Sequence, residues 1–449
     1  MIVLNSVGTA MMLTGVNVAL PSIAQELRVD AVVLTWIPMS YLMAVAACVL
    51  SFGRLADMYG RKKVYLVGTA GVIVTSIFTA LSDSATEMII GRLAQGVCAA
   101  MLYATNVAVI SSVVTADKRG VAIGYTVSAI YLGLALGPLL SGWLVEYFSW
   151  RWTFLLHVPL ALAVLYIGIF KIDRDWTADD LGEFDTIGSM VYAVAIVMLM
   201  LGLSSLSNYV DVVLIFVGLA GLIFFFKFEL RHPHPVFDVS LFYTSTLFTL
   251  ACAASLIMYT TTFGNVVLVS LYLQYIKGIS PTVVGFILIC QPVVMTIIAP
   301  VAGRLSDQYS PRLLALFGMG VTAVSHSILA TLNTDSPVSL VIFCMILNGI
   351  GFGLFSSPNA NAMMGAIGAR NYGRAGSAIA VMRVVGQMAS MAVVTLVFGL
   401  LIGPRALDVA AFPELNLAIQ VCFAVGAGLC FLFISFSFFQ SQRRSLHPQ

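Results

Sequence analysis

Ionisable side chains are scarce along this chain, and where they fall limits the chemistry they could do. Arg92 and Arg383 each interrupt a long apolar run, and so do His157 and His326. An ionised group inside an apolar span is costly unless it is paired, faces water or handles a charged ligand. Histidine can also take up and release a proton near neutrality, which makes His157 a candidate proton carrier. All twenty acidic residues fall in loops or within a turn or two of the end of a run, Asp57, Glu87, Glu146, Asp211 and Glu229 among them. No run therefore carries a central carboxylate. Neutral polar residues placed to meet a ligand are Asn17, Tyr41, Asn106, Tyr131, Asn265, Tyr272, Gln291, Asn359, Asn361 and Gln387. Phosphate-cradling chemistry is not expected, because no G-x-x-x-x-G-K-[ST] run occurs. No catalytic constellation is found either, so the chain is not expected to be an enzyme. The seven cysteines all lie in apolar runs without paired spacing and read as packing residues. His232-Pro233-His234 reads as a Pro-punctuated loop. No metal or cofactor is expected.

The elements that position these residues follow from composition. Of 449 residues, 60% are hydrophobic and 9% charged, and the mean hydropathy is +1.00. Soluble domains carry about 25% charged residues, so a water-facing surface cannot be covered here, and lipid is the fitting solvent. Net charge is only +2, with the basic residues scattered in loops, and no nucleic-acid partner is implied. A spanning helix needs about 20 apolar residues. Fourteen runs qualify: 2–22, 33–53, 64–82, 86–113, 120–145, 152–170, 186–206, 210–229, 246–273, 281–303, 313–332, 337–364, 375–403 and 415–440. A kink is expected near Gly264. The first run starts almost at Met1 and reads as a retained helix or as a chain truncated just before it.

Charge placement orients the runs. With the N-terminus in the cytoplasm, sixteen of the 22 Lys and Arg fall on the inside, Lys118, Arg174 and Arg370 among them. Four fall outside: Arg28, Arg151, Lys277 and Arg405. That sorting follows the positive-inside bias and places both termini in the cytoplasm.

The densest polar run is Gly53-Arg54-Leu55-Ala56-Asp57-Met58-Tyr59-Gly60-Arg61-Lys62-Lys63, read as a short loop between two spans. A degenerate copy recurs 250 residues later as Gly303-Arg304-Leu305-Ser306-Asp307-Gln308-Tyr309-Ser310-Pro311-Arg312. Gly96 with Gly349, Asn106 with Asn359, Gly120 with Gly373 and Gly133 with Gly386 are each 253 apart. A shared offset argues for duplication: an N-terminal six-helix bundle over 1–170 and a C-terminal one over 246–449. Helices 7 and 8, with their linkers, form an insert over 171–245. Bundles so related suit rocking around a central site.

These residues resemble the major facilitator superfamily, and within it the fourteen-helix drug:proton antiporter branch, over nearly the whole chain. The G-x-L-a-D-r-x-G-r-k-x signature is matched at Gly53, Leu55, Asp57, Gly60, Arg61 and Lys62. By resemblance this cluster, with Gly303 and Asp307 of the copy, latches the outward-facing state and breaks on opening inward. Arg92-Leu93-Ala94-Gln95-Gly96 is similar to the R-x-x-q-G signature, whose arginine the resemblance links to proton transfer. Gly133-Leu134-Ala135-Leu136-Gly137-Pro138-Leu139-Leu140-Ser141-Gly142 resembles the antiporter signature G-x-x-x-G-P-x-x-G-G, with Ser141 replacing a glycine. Its small residues permit close helix contact and Pro138 bends the helix. Asn17-Val18-Ala19-Leu20-Pro21 and Trp150-Arg151-Trp152-Thr153-Phe154 also resemble the branch. Where that branch carries an Asp in the first helix, Met12 stands here.

The resemblance implies an all-α membrane protein with two pseudo-symmetric six-helix bundles plus two extra helices. It implies proton-coupled efflux of small amphipathic compounds or drugs, in a monomer set in the cell membrane. Helices 1, 4, 9 and 12 would surround the cavity and supply Asn17, Asn106, Asn265 and Asn359, with Tyr41, Tyr131, Gln291, Arg383 and Gln387 as further lining. Arg92 and His157 are the coupling candidates. Two alternatives stand beside this reading: export of anionic or neutral metabolites on the buried arginines, and a transport-inactive receptor or assembly partner.

Overall fold

A computed structural model describes residues 1–113, 119–173, 175–177, 183–204, 206, 208–367 and 372–446. Fourteen of its helices are long and apolar enough to cross a bilayer. In chain order they are α1 (Ile2–Leu27), α2 (Ala31–Tyr59), α3 (Arg61–Ala80), α4 (Ala85–Ile110), α5 (Gly124–Tyr147), α6 (Arg151–Phe170), α7 (Thr186–Leu203), α8 (Tyr209–Glu229), α9 (Thr246–Ile276), α10 (Pro281–Leu305), α11 (Pro311–Leu329), α12 (Val338–Gly365), α13 (Ala378–Leu401) and α14 (Val409–Phe438). No strand occurs among the described residues. Lipid leaves backbone polar groups no partner except one another, so apolar runs of this length become helices. Lys118, Arg174 and Arg370 of the charge sorting lie outside the described residues.

Two predicted details are corrected. Gly53 to Tyr59 is not a loop but the last two turns of α2, and Gly60 alone separates α2 from α3. Leu, Arg, Ala and Met sustain a helix well, and the break comes only where Gly60 takes φ 113°, a conformation that favours glycine. His157 does not sit within a continuous helix. The sixth span is two pieces, Arg151–Leu155 and Val158–Phe170, with His157 capping the second just before Pro159. The kink expected near Gly264 is present, between Thr246–Thr262 and Asn265–Leu271.

The halves repeat in space. In the first bundle α1 packs on α5, and both α2 and α3 pack on α4; in the second α9 packs on α13, and both α10 and α11 on α12. Glycines mark the equivalence. A Cβ on Gly133 would lie 2.4 Å from Val7 O, and one on Gly386 2.8 Å from Leu256 O. One on Gly96 would lie 2.4 Å from Tyr41 O, and one on Gly349 2.7 Å from Gln291 O. Helix backbones thus touch at matching places, which small residues alone permit.

The α7–α8 pair stands apart from this symmetry. These two helices pack on each other, and α7 also touches α2 and α13. Only 11% of the most apolar window of α8 is buried, against 78% for α1. An evenly apolar helix so exposed belongs against lipid.

Alternation of the helices puts the chain's turns at two ends. Arg151 at the start of α6 bonds Glu26 at the end of α1 and Asp83 before α4, the latter at 3.0 Å, which gathers three turns at what is here termed the Arg151 end. Opposite lies the Asp57 end, where the segment after α6 meets the start of α3.

Candidate functional site

Arg92 is fully buried in the first bundle, and its contacts are unusual for a cation. Its Nε donates to Ile37 O at 3.2 Å and its Nη1 to Gln95 Oε1 at 2.6 Å. The guanidinium lies over the Tyr41 ring, 4.4 Å from its centre. No carboxylate pairs with it among the described residues, and Nη2 has no acceptor there. Gln95 Nε2 donates onward to Ser76 Oγ at 2.6 Å, and Ser76 Oγ lies 3.1 Å from His157 Nε2. The two coupling candidates from sequence therefore meet, through Gln95 and Ser76, in one chain across α4, α3 and α6. A guanidinium only donates, so Gln95 accepts from Arg92 and donates to Ser76; Ser76 Oγ gives its own proton to Val72 O at 2.6 Å, which leaves His157 Nε2 as the donor to Ser76. An amide in the middle fixes orientation and does not pass protons along. His157 Nδ1 is buried and has no partner among the described residues.

The bundles meet along α5 with α10, α2 with α13, and α1 with α9. Three hydrogen bonds join them in the half toward the Arg151 end. Thr282 N donates to Glu146 Oε2 at 3.0 Å, Ala31 N to Arg405 O at 2.9 Å and Gln274 Nε2 to Val18 O at 3.1 Å. Deeper in, Tyr131 Oη and Ser356 Oγ are 3.2 Å apart, joining α5 to α12. Arg383 reaches from α13 over the Tyr103 ring of α4, 5.6 Å from its centre. Gln387, one turn along α13, is half-buried.

The other lining candidates divide. Asn106 Nδ2 donates to Ser6 Oγ at 3.2 Å, and Asn265 Oδ1 lies 3.0 Å from His326 Nε2. Asn359 Nδ2 donates to Ser255 Oγ at 2.7 Å and Ala251 O at 3.0 Å. Each of the three is bonded inside its own bundle, while Asn106 Oδ1 and Asn265 Nδ2 find no partner among the described residues. Asn17 differs: it is buried, and neither amide atom finds a partner among the described residues. Gln291 Oε1 is likewise unpartnered. Buried amides of this kind usually bond water or a ligand. Sequence reasoning passed over Tyr103, Ser356, Ser76 and Gln274, because a residue at the seam carries no mark until its facing helix is known.

The antiporter signature on α5 serves two faces. Gly133 and Gly137 face α1 within the bundle; a Cβ on Gly137 would lie 2.4 Å from Thr14 Oγ1. Pro138 and Gly142 face the opposite bundle. A Cβ on Gly142 would lie 2.3 Å from Pro281 O, and one on Gly285 2.6 Å from Pro138 O.

At the Asp57 end, Arg61 Nε bonds Asp57 Oδ1 at 2.7 Å, and Arg61 Nη1 donates to Ala108 O at 3.3 Å. Gly60 offers no side chain to cap α3, and the segment after α6 does so instead. Asp175 Oδ1 accepts from Lys62 N at 2.8 Å, Arg61 N donates to Trp176 O at 2.9 Å, and Lys62 Nζ donates to Ile172 O. Asp175 to Ala removes this borrowed cap, which is typically worth about 1 kcal/mol. Amide hydrogen exchange at Lys62 is expected to quicken about fivefold, and an unchanged rate would show the cap to be idle. In the second copy Gly303 lies against Ser357, as Gly53 lies against Ala104, and Asn361 Nδ2 donates to Ser306 Oγ at 2.6 Å. Asp307 is exposed.

Known proteins match this arrangement. A family model described as Major Facilitator Superfamily covers residues 2–260 and 250–449. The riboflavin transporter RibZ of Clostridioides difficile (strain 630) is 28% identical over 370 residues, which cover 82% of this chain and 80% of RibZ. Multidrug resistance protein Stp of Mycobacterium tuberculosis (strain CDC 1551 / Oshkosh) is 28% identical over 387 residues, covering 84% and 71%. Among solved structures, the peptide transporter POT in complex with sulfate superposes with a TM-score of 0.71 at 14% identity, over 98% of this chain and 94% of that one. That last likeness concerns the fold alone.

Proposed function

The chain belongs to the Major Facilitator Superfamily, and from that premise we propose that it exports small amphipathic compounds in exchange for protons, by alternating access. It is a membrane transporter and not an enzyme. The observation that carries the proposal is the α5–α10 crossing. Gly142 and Gly285 bring backbones of the two bundles into contact without interlocking side chains. A seam of this kind can part and re-form as residues 1–170 rock against 246–440, with 171–245 riding as an insert. The positive-inside sorting would put the Asp57 end in the cytoplasm, with both termini. The Arg151 end would then face outward, and the conformation described would be the inward-facing one. The protein would act as a monomer in the cell membrane.

Ring-bearing substrates suit the seam, where Tyr103, Tyr131 and Arg383 offer flat faces and one cation. Similarity to RibZ, a riboflavin transporter, supports that class, and similarity to the multidrug resistance protein Stp supports drug-like compounds more broadly. For coupling, His157 is the group to which a proton could bind. A proton at Nδ1 would set a second positive charge in the chain that holds Arg92, and proton occupancy would thereby bear on the guanidinium's position.

A second reading, transport of neutral or anionic compounds, is favoured by one observation. Neither bundle holds a buried carboxylate among the described residues, while Arg92 and Arg383 lie in or beside the seam. One assay tests both readings: dye efflux driven by a proton gradient in inverted vesicles, run with cationic, neutral and anionic dyes. Movement of any dye with matching proton flux supports the exporter, and none across the panel would count against it. Arg383 to Ala is expected to lower anionic dye transport at least tenfold; unchanged rates would sink the anionic version.

A further inference from the structure

The carboxylates buried among the described residues are Asp185 and Glu229, and both lie outside the two bundles. They meet at the Asp57 end of the α7–α8 pair. Asp185 caps α7, its Oδ1 accepting from Gly188 N at 2.8 Å. Glu229 closes α8, its Oε2 accepting at 3.3 Å from Phe237 N in the segment that leads to α9. The second oxygen of each, Asp185 Oδ2 and Glu229 Oε1, has no donor among the described residues. Both point at the space above Gly188. A Cβ there would stand 2.2 Å from the first and 2.5 Å from the second, so glycine is what leaves room for the carboxyls to converge. Exposure is 3% for Asp185 and 2% for Glu229.

Two carboxylates facing each other out of water cannot both stay ionised at small cost, and a single proton between them turns repulsion into a hydrogen bond. We propose that Asp185 and Glu229 form a proton-binding site, holding one proton between Glu229 Oε1 and Asp185 Oδ2. The pair then bears one negative charge. His232 stands beside it, with Nε2 4.0 Å from Asp185 Oδ1 and its ring against Phe228. Arg231 beside it is exposed. Of the other helices packed on α7, α2 brings Arg54 and Asp57 to this end, and α13 carries no acidic residue. The shared proton fastens the start of α7, the end of α8 and the lead into α9 at one point. That gives the extra helices a protonatable joint distinct from the coupling group proposed in the first bundle.

The test is infrared spectroscopy of the purified full chain in detergent. At neutral pH the wild type should show the carbonyl stretch of a protonated carboxyl, and alkaline buffer should remove it. In Glu229→Gln the amide donates to an ionised Asp185, and in Asp185→Asn the amide donates to an ionised Glu229. Both variants are isosteric, and both should lose the band while eluting as a single species. Gly188→Ala, which crowds the site, should weaken it. A wild type without the band at neutral pH overturns the proposal, and so does a band that survives in both amide variants. Transport plays no part in this readout, so its failure would be distinct from failure of the exporter reading.

Discussion

Gly142 to Val is expected to reduce transport at least tenfold while both bundles stay folded. The added Cβ would lie 2.3 Å from Pro281 O, a backbone atom that cannot turn aside. Relief requires α5 and α10 to separate at the Arg151 end, which is the opening motion itself. Overpacking typically costs about 1–3 kcal/mol. Applied to one of two interconverting states, that shifts their ratio by about 5- to 150-fold, since 1.4 kcal/mol is a factor of ten. The variant should therefore be held open at the Arg151 end and cycle slowly. A cysteine introduced at Val284, buried beside Gly285 of the same crossing, would label faster with a membrane-impermeant thiol reagent in the valine variant. Transport within twofold of wild type would show that the crossing does not open during the cycle. By contrast, Gly124 has open space around it, and alanine there should be tolerated.

Legibility from sequence varied with the kind of force involved. Fourteen helices and two bundles could be read directly, because a bilayer leaves an apolar run of about 20 residues almost no other structure. The duplication was also legible. Its glycines sit where helix backbones touch, and Gly133 and Gly386 meet equivalent atoms of α1 and α9. Helix ends were less legible: the signature reads as a loop by its polarity, yet Arg54, Leu55, Ala56 and Met58 are good helix formers and carry α2 on to Tyr59. Side-chain partnerships across helices were not legible at all. Asn106, Asn265 and Asn359 are cavity candidates by position, and the bonds each makes within its own bundle come from other helices. Glu229 looks like an exposed helix end, and the returning segment at Phe237 buries it. In each case the deciding contact comes from a different helix or a distant loop, and local pattern carries no trace of it.

Arg92 to Lys should be the most damaging single conservative change, costing about 2–4 kcal/mol of stability and lowering transport at least tenfold. Lysine keeps the charge but presents a compact ammonium in place of a flat fork. It cannot satisfy Ile37 O and Gln95 Oε1 together while lying over the Tyr41 ring, as the guanidinium does at 4.4 Å. One buried acceptor would lose its donor, at about 1–3 kcal/mol, and a desolvated cation–π contact of about 2 kcal/mol would weaken. The damage should travel along the chain. Gln95, released from Arg92, no longer holds its Nε2 on Ser76, and Ser76 no longer fixes His157. A double-mutant cycle of Arg92→Lys with Ser76→Ala, read by thermal unfolding in detergent, should show coupling above about 0.5 kcal/mol, although the two side chains make no direct contact. Strict additivity would mean that the four residues do not act as a unit. It would also cut His157 off from Arg92 and leave proton coupling to be sought elsewhere in the chain.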